Sequence, residues 1–103
     1  MSISIFLREA PTKLLITLLE GGTTKTKLWK KTGITYSHLL KLINDFIELG
    51  IVEESQKGRA IFVSLTEEGM HIAKLVKKVN DFFQNLKVDN KGGGYSGQVK
   101  VAN

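Results

Sequence analysis

The chain has 103 residues, 42% of them hydrophobic and 24% charged, which is the length and composition of one compact soluble domain rather than two. Its formal net charge of +5 favours a polyanionic partner such as nucleic acid. The sequence contains no cysteine, which excludes disulfides, thiolate metal ligands and a cysteine nucleophile. It has no apolar run of about 18 residues and no signal-peptide pattern, so we expect a cytoplasmic protein that does not enter a membrane.

Two helices are predicted in the first third of the chain. The first begins at Pro11, because proline at the first helical position loses no needed hydrogen bond. Leucines then form one apolar face, and a Gly-Gly pair ends the helix. The second helix is short: Thr24 is its expected N-cap, Leu28 its apolar anchor and Gly33 its end.

A third and more strongly amphipathic helix is predicted in "TYSHLLKLINDFIELG". Thr35 can cap its start and Gly50 can end it. Its apolar residues recur at spacings of three and four, so they form one continuous stripe, and most of the polar residues lie off it. The stripe consists of Leu39, Ile43, Phe46 and Leu49.

After Gly50 the pattern changes to that of strands. "IVEES" and "IFVSL" are short β-branched runs separated by "QKGRA", a glycine-centred turn, and together they predict a hairpin. A long helix is then predicted from Thr66, which caps it, to Lys87. From Val88 onward the composition is glycine-rich with little to bury, so residues 88–103 are predicted to be a flexible tail.

Three stretches in this order, "APTKLLITLLEGG", "KLWKKTGITYSHLLKLINDFIELGIVEE" and "IFVSLTEEG", together resemble a winged helix-turn-helix domain. They are similar to the multiple-antibiotic-resistance and arsenic-repressor superfamilies of bacterial and archaeal transcription regulators. The resemblance implies a mainly α fold with a small β-hairpin, a DNA-binding domain over residues 1–87 and a C-terminal dimerisation helix over residues 66–87. Trp29 departs from the pattern, because the family usually has a small residue at this position.

The charge pattern matches the way a helix-turn-helix docks on DNA. No acid occurs between Glu20 and Asp45, whereas five lysines do, and the acids that follow are expected to point away from the groove. In such motifs the start of the recognition helix enters the major groove, the preceding helix crosses the backbone, and a wing arginine can enter the minor groove. The predicted DNA-binding residues are Thr24, Lys25, Lys27, Thr35, Tyr36, Ser37, His38, Lys41, Lys57, Gly58 and Arg59.

The fourth predicted helix is longer than a domain this small can cover. Its apolar residues keep a three-four rhythm for about four turns, and those near its end would be exposed in a monomer, which usually marks an interface. We therefore predict a homodimer that presents two recognition helices to a pseudo-palindromic site. The alternative is a helix that packs entirely within its own chain. The predicted dimerisation residues are Leu75, Val79, Phe82, Phe83 and Leu86.

The sequence gives little support for catalysis or for a cofactor. The two histidines, His38 and His71, lie on different predicted elements, and "GGGYSG" has no strand before it, so neither a metal site nor a nucleotide-binding loop is predicted. Relatives of the multiple-antibiotic-resistance type bind small-molecule effectors beside the dimerisation helices. Trp29, Phe82 and Phe83 could line such a crevice, but aromatic residues at helical spacing favour a place in the core.

The sequence therefore predicts a dimeric DNA-binding transcription regulator without catalytic activity. Two alternatives stay open. A low-specificity architectural DNA-binding protein is favoured by the basic charge and by the lack of arginine in the third helix, since arginine makes the commonest specific contact with guanine. The other alternative is a winged-helix domain that binds protein partners instead of DNA.

Overall fold

The computed structural model describes residues 8–91 and, of their side chains, those of residues 8–86. Within this range four helices surround a small antiparallel sheet of three strands, which confirms the predicted fold class. In chain order the elements are α1 (Glu9–Leu18), β1 (Thr23–Thr24), α2 (Lys25–Thr32), α3 (Tyr36–Glu48), β2 (Val52–Lys57), β3 (Ala60–Leu65) and α4 (Glu67–Lys91).

The core is formed where the apolar faces of the helices meet the inner side of the sheet. The predicted stripe of α3 supplies Leu39, Ile43 and Phe46, all fully buried, while Leu49 is only half-buried. Leu42, which sequence periodicity did not assign to the stripe, is buried as well. The other buried apolar residues come from every remaining element except β1: Leu14, Leu15, Leu18, Leu28, Ile34, Ile51, Val52, Val63 and Ala73.

The hairpin forms at the predicted place, with a third strand beside it. Strands β2 and β3 pair in antiparallel register from Val52 with Leu65 to Lys57 with Ala60. The turn between the last pair has two residues, and glycine stands first with φ +63°, as tight hairpin turns require. Strand β1 pairs with the other edge of β3. The sequence did not predict it, because two residues show no alternation.

Helices α2 and α3 begin and end at the predicted capping threonine and glycines, with one exception at the start of α3. The Thr24 hydroxyl accepts a hydrogen bond from the Lys27 amide at 3.3 Å, and Gly33 and Gly50 adopt φ of +72° and +76° where α2 and α3 end. Thr35 occupies the N-cap position of α3 but makes no side-chain cap. The predicted cap is therefore wrong, although Thr35 itself is exposed.

The start of α4 is attached to the end of α3 by Thr66 and Gly69. The Thr66 hydroxyl accepts from the Gly69 amide at 3.0 Å, which confirms the predicted cap, and it donates to the Gly50 carbonyl at 2.6 Å. Gly69 is buried against the Ile51 carbonyl, and a Cβ at this position would overlap the carbonyl oxygen. The "LTEEG" signature thus combines a helix cap with a close approach of two backbones.

Gly69→Ala is expected to lower the free energy of unfolding by about 1–3 kcal/mol. The added methyl group meets backbone atoms that cannot rotate away, and this cost exceeds the gain of about 0.5–1 kcal/mol that alanine brings to a helix interior. Urea unfolding followed by circular dichroism measures the change. Lys74→Ala, at an exposed position of the same helix, is the control and should stay within about 0.5 kcal/mol of wild type. A Gly69→Ala variant as stable as wild type would contradict the close approach.

Helix α4 packs on α1 through its first turns only. Ala73 is buried there, and Ile72 and Val76 are half-buried against the core. The helix continues past its predicted end at Lys87 to Lys91, because the first helix-breaking residue after Lys87 is Gly92. The division into a domain over residues 1–87 and a flexible tail over residues 88–103 stays a prediction. Residues 92–103 of this tail lie outside the described range.

Candidate nucleic-acid interface

Helices α2 and α3 form the helix-turn-helix, and a buried threonine holds the angle between them. The Thr32 hydroxyl donates to the Leu28 carbonyl at 2.7 Å and accepts from the Ile34 amide at 3.3 Å. It thereby satisfies the amide of the turn residue that follows Gly33, which would otherwise be buried without a partner. Sequence analysis did not identify this joint, whose only signal is a threonine directly before the glycine that ends α2.

The outer face of α3 is polar and open to solvent. Tyr36, Ser37 and His38 at its start are exposed, and so is Lys41 one turn later, as predicted for a leading face. Asn44 is also exposed, and its spacing from Ser37 and Lys41 puts the three side chains on one face. The prediction omitted Asn44, although asparagine can form a bidentate contact with adenine.

Three of the lysines in this region have carboxylate partners. Lys25 Nζ lies 2.8 Å from the Glu54 carboxylate, Lys31 Nζ lies 3.4 Å from that of Glu20, and Lys41 Nζ lies 3.3 Å from that of Asp45. The expectation that Glu54 points away from the groove-facing helices is wrong. Strand β2 runs back along the domain and brings Glu54 to the start of α2.

Lys25 and Lys41 differ in how firmly they are held. The pair of Lys25 with Glu54 is about two-thirds shielded from solvent on both sides, so it fastens the wing strand to α2. Lys41 is 73% exposed, and an exposed pair one helical turn apart contributes only about 0.3–0.5 kcal/mol. A phosphate group can therefore replace Asp45 as the partner of Lys41 at little cost.

Among residues 8–86, the cations without a carboxylate partner include Lys27 and Lys30 on α2 and Arg59 at the tip of the hairpin. All three are exposed. Lys57 is beside the tip, and its Nζ lies 5.2 Å from the ring centroid of Phe62 in a cation–π contact. Arg59 is therefore the wing cation with the greater freedom to reach DNA.

Three aromatic residues that helical spacing favoured for the core, Trp29, Phe82 and Phe83, are exposed instead. Trp29 is 44% exposed and Tyr36 42%, and their rings meet edge to face with centroids 5.7 Å apart. Phe82 and Phe83 form a separate exposed pair on α4, 6.4 Å apart. Trp29 therefore contacts Tyr36 and not Phe82 or Phe83, and a small-molecule effector beside these rings stays an untested possibility.

From Leu75 onward α4 carries an exposed apolar stripe. Its members are 39–63% exposed and recur at spacings of three and four, so they lie along one side of the helix. From the first to the last the stripe is about 16 Å long at 1.5 Å per residue. These side chains are exposed in the single chain, so they do not fit the alternative prediction in which α4 packs entirely within its own chain. They are Leu75, Val79, Phe82, Phe83 and Leu86.

Other kinds of site find little support in the described part of the chain. An open depression of about 260 Å³ lies between α1 and the helix-turn-helix, and its lining includes Glu9, Lys13, Thr35 and His38. Residues 8–86 contain no cluster of three or more histidine, aspartate or glutamate side chains able to hold a metal ion. No helix in the described range is long and apolar enough to cross a membrane.

The helix-turn-helix and the hairpin beside it together form the fold of winged-helix DNA-binding regulators. A family model described as winged helix-turn-helix matches residues 11–84, so the chain belongs to this family. A search of curated proteins finds no match.

Several solved structures share the fold. The transcriptional repressor BigR from Xylella fastidiosa is 28% identical, with a TM-score of 0.67 over 79% of this chain and 81% of BigR. The protein AF1382 from Archaeoglobus fulgidus is 23% identical, with a TM-score of 0.68 over 79% of this chain and 94% of its own. Sso10a-2, a DNA-binding protein from Sulfolobus solfataricus, is 15% identical, with a TM-score of 0.63 over 79% of this chain and 88% of the Sso10a-2 chain. At identities below 25% the last two show similarity of fold alone.

Proposed function

We propose that the protein is a sequence-specific transcriptional regulator that binds double-stranded DNA as a homodimer and has no catalytic activity. The observation that carries the proposal is the exposed leading face of α3, flanked by the unpaired cations of α2 and by Arg59 at the wing tip. The similarity to BigR, a transcriptional repressor, supports the same role. We expect the protein in the cytoplasm, where bacterial and archaeal DNA lies.

Each part of the surface has a proposed task. Lys27 and Lys30 bind phosphates, and the Thr24 hydroxyl keeps the amides at the start of α2 in place beside them. Lys25 positions the wing through its contact with Glu54. The side chains of α3 that reach base edges are Tyr36, Ser37, His38, Lys41 and the added Asn44. Thr35 and the wing residues Lys57, Gly58 and Arg59 complete the proposed surface.

The apolar stripe of α4 is the proposed dimer interface. A soluble monomer rarely leaves two phenylalanines and three aliphatic side chains exposed in one row. Pairing of two such stripes around a two-fold axis would bury them and present two recognition helices to one duplex. The target is then a pseudo-palindromic site whose half-sites are separated by about one helical turn of DNA.

An architectural role with low sequence preference is the second candidate. It is favoured by the lack of arginine in α3, because arginine forms the commonest base-specific contact. Selection of binding sites from a random duplex pool separates the two candidates. An enriched two-fold symmetric motif supports the regulator, and equal affinity for unrelated duplexes supports the architectural protein.

The first experiment is fluorescence anisotropy of a labelled random duplex, titrated with protein at a series of salt concentrations. A dimer that uses about four to six phosphate contacts should show a log–log slope of the association constant of about −4 to −5. Absence of binding at low salt would contradict both DNA-binding candidates and favour a protein partner for the same face.

A further inference from the structure

The contact between Trp29 and Tyr36 joins the two helices of the helix-turn-helix at their outer surface. Trp29 lies on α2, and Tyr36 is the first residue of the recognition helix α3. Their rings are 74° apart in an edge-to-face contact, which limits the directions that the Tyr36 side chain can take. Leu40, one turn beyond Tyr36, is half-buried beside it.

This apolar surface lies among positive charges. Lys30 follows Trp29 directly and has no carboxylate partner among the described residues. Trp29 lies one helical turn after Lys25, whose Nζ neutralises the Glu54 carboxylate at 2.8 Å. A partner that fits here must be anionic around its rim and apolar at the point of contact. The major groove of DNA provides both, because phosphates border it and thymine carries its methyl group there.

We propose that the Tyr36 ring reads the 5-methyl group of thymine in the major groove, and that Trp29 is a positioning residue that holds Tyr36 in place. This inference rests on the proposed DNA-binding function and deepens it, because it supplies a base preference to a recognition helix without arginine. The contact is apolar, so it adds affinity without adding a released counterion.

The test compares two duplexes of 24 base pairs, one of alternating adenine and thymine and one with uracil in place of thymine. Uracil lacks only the methyl group, so hydrogen-bond donors and acceptors in the groove stay the same. Wild type should bind the thymine duplex at least about fourfold more tightly, which corresponds to the burial of one methyl group. The emission of Trp29, the only tryptophan of the chain, should change on binding.

Four variants separate the roles of the rings. Tyr36→Ala and Trp29→Ala should lose the preference for thymine while keeping the salt slope of wild type, because no ionic contact is removed. Trp29→Phe, which keeps an aromatic ring against Tyr36, should restore most of it. Met70→Ala, which shortens an exposed apolar side chain on α4, is the control and should bind like wild type. Thermal unfolding of each variant shows whether the domain stays folded.

Three results would overturn the proposal. If wild type binds both duplexes equally and the tryptophan emission does not change, the thymine contact is wrong while the DNA-binding function stands. If a single-stranded oligonucleotide of the same length binds more tightly and quenches Trp29 more strongly, the rings stack on unpaired bases instead. If neither duplex binds at low salt, the proposed function fails together with this inference.

Discussion

Alanine at Lys27, Lys30 and Arg59 together should lower the affinity for duplex DNA by at least about 100-fold near 0.1 M salt. In a dimer the triple variant removes up to six cationic contacts with DNA, and each lost contact makes the salt slope less negative by about one. The log–log slope of the association constant against salt concentration should therefore change from about −4 or −5 to between about −2 and 0. These three side chains are exposed and make no ion pair in the described structure, so their removal should leave the stability nearly unchanged.

The matched control removes the same number of charges from another face. Lys74→Ala, Lys77→Ala and Lys78→Ala together lower the formal net charge by the same three units from +5, but these residues lie on α4. The control should bind DNA within about threefold of wild type, because only cations close to the phosphates release counterions. Equal losses in the two triple variants would mean that net charge alone attracts the DNA, and the assigned interface would be wrong.

The second large effect is expected from the apolar stripe. Val79→Glu combined with Phe83→Glu should convert the proposed dimer into a monomer, because two carboxylates on each stripe would be buried against each other at the interface. Sedimentation at micromolar concentration should give twice the chain mass of 11.5 kDa for wild type and the chain mass itself for the variant. Affinity for a duplex with two half-sites should fall by about 10²- to 10⁴-fold, because the second half-site is no longer bound intramolecularly.

Gln84→Glu combined with Asn85→Glu adds the same charge to exposed polar positions of the same helix and is the control. It should stay dimeric, because by helical spacing neither residue lies on the apolar stripe. Urea unfolding of the monomeric variant should still show a cooperative transition, since both substituted residues are exposed in the single chain and outside its core. A wild-type protein that sediments as a monomer would contradict the proposed interface directly.

The helices and the hairpin were predictable because their limits depend on residues that are close together in the chain. Gly33 and Gly50 have the positive φ that ends a helix, Thr24 and Thr66 cap the helix that follows each of them, and Gly58 begins a two-residue turn. Spacings of three and four likewise placed most of the buried residues of α3. The extension of α4 to Lys91 was missed, although the first helix breaker was visible at Gly92.

Part of the candidate site also followed from local pattern. The exposure of Tyr36, Ser37, His38 and Lys41 was implied by the amphipathic period of α3. The same period implied that Asn44 is exposed, although Asn44 was not among the predicted DNA-binding residues. The contact of Lys41 with Asp45 belongs to the same local class, because residues four apart on a helix are neighbours. Which of these side chains reach the groove stays a prediction.

By itself the sequence determined the order of the helices and the hairpin, the polar leading face of α3 and the apolar stripe of α4, since each depends on periodicity and on glycine or threonine at a helix end. The winged-helix architecture was implied by the resemblance of three stretches to known regulators. Only the tertiary structure decided which distant residues meet. It brought Glu54 to Lys25, paired Trp29 with Tyr36, and set Gly69 against Ile51. These contacts depend on how elements pack and on strand register, which no short-range pattern encodes. They determine which cations and rings stay available for the proposed contact with DNA.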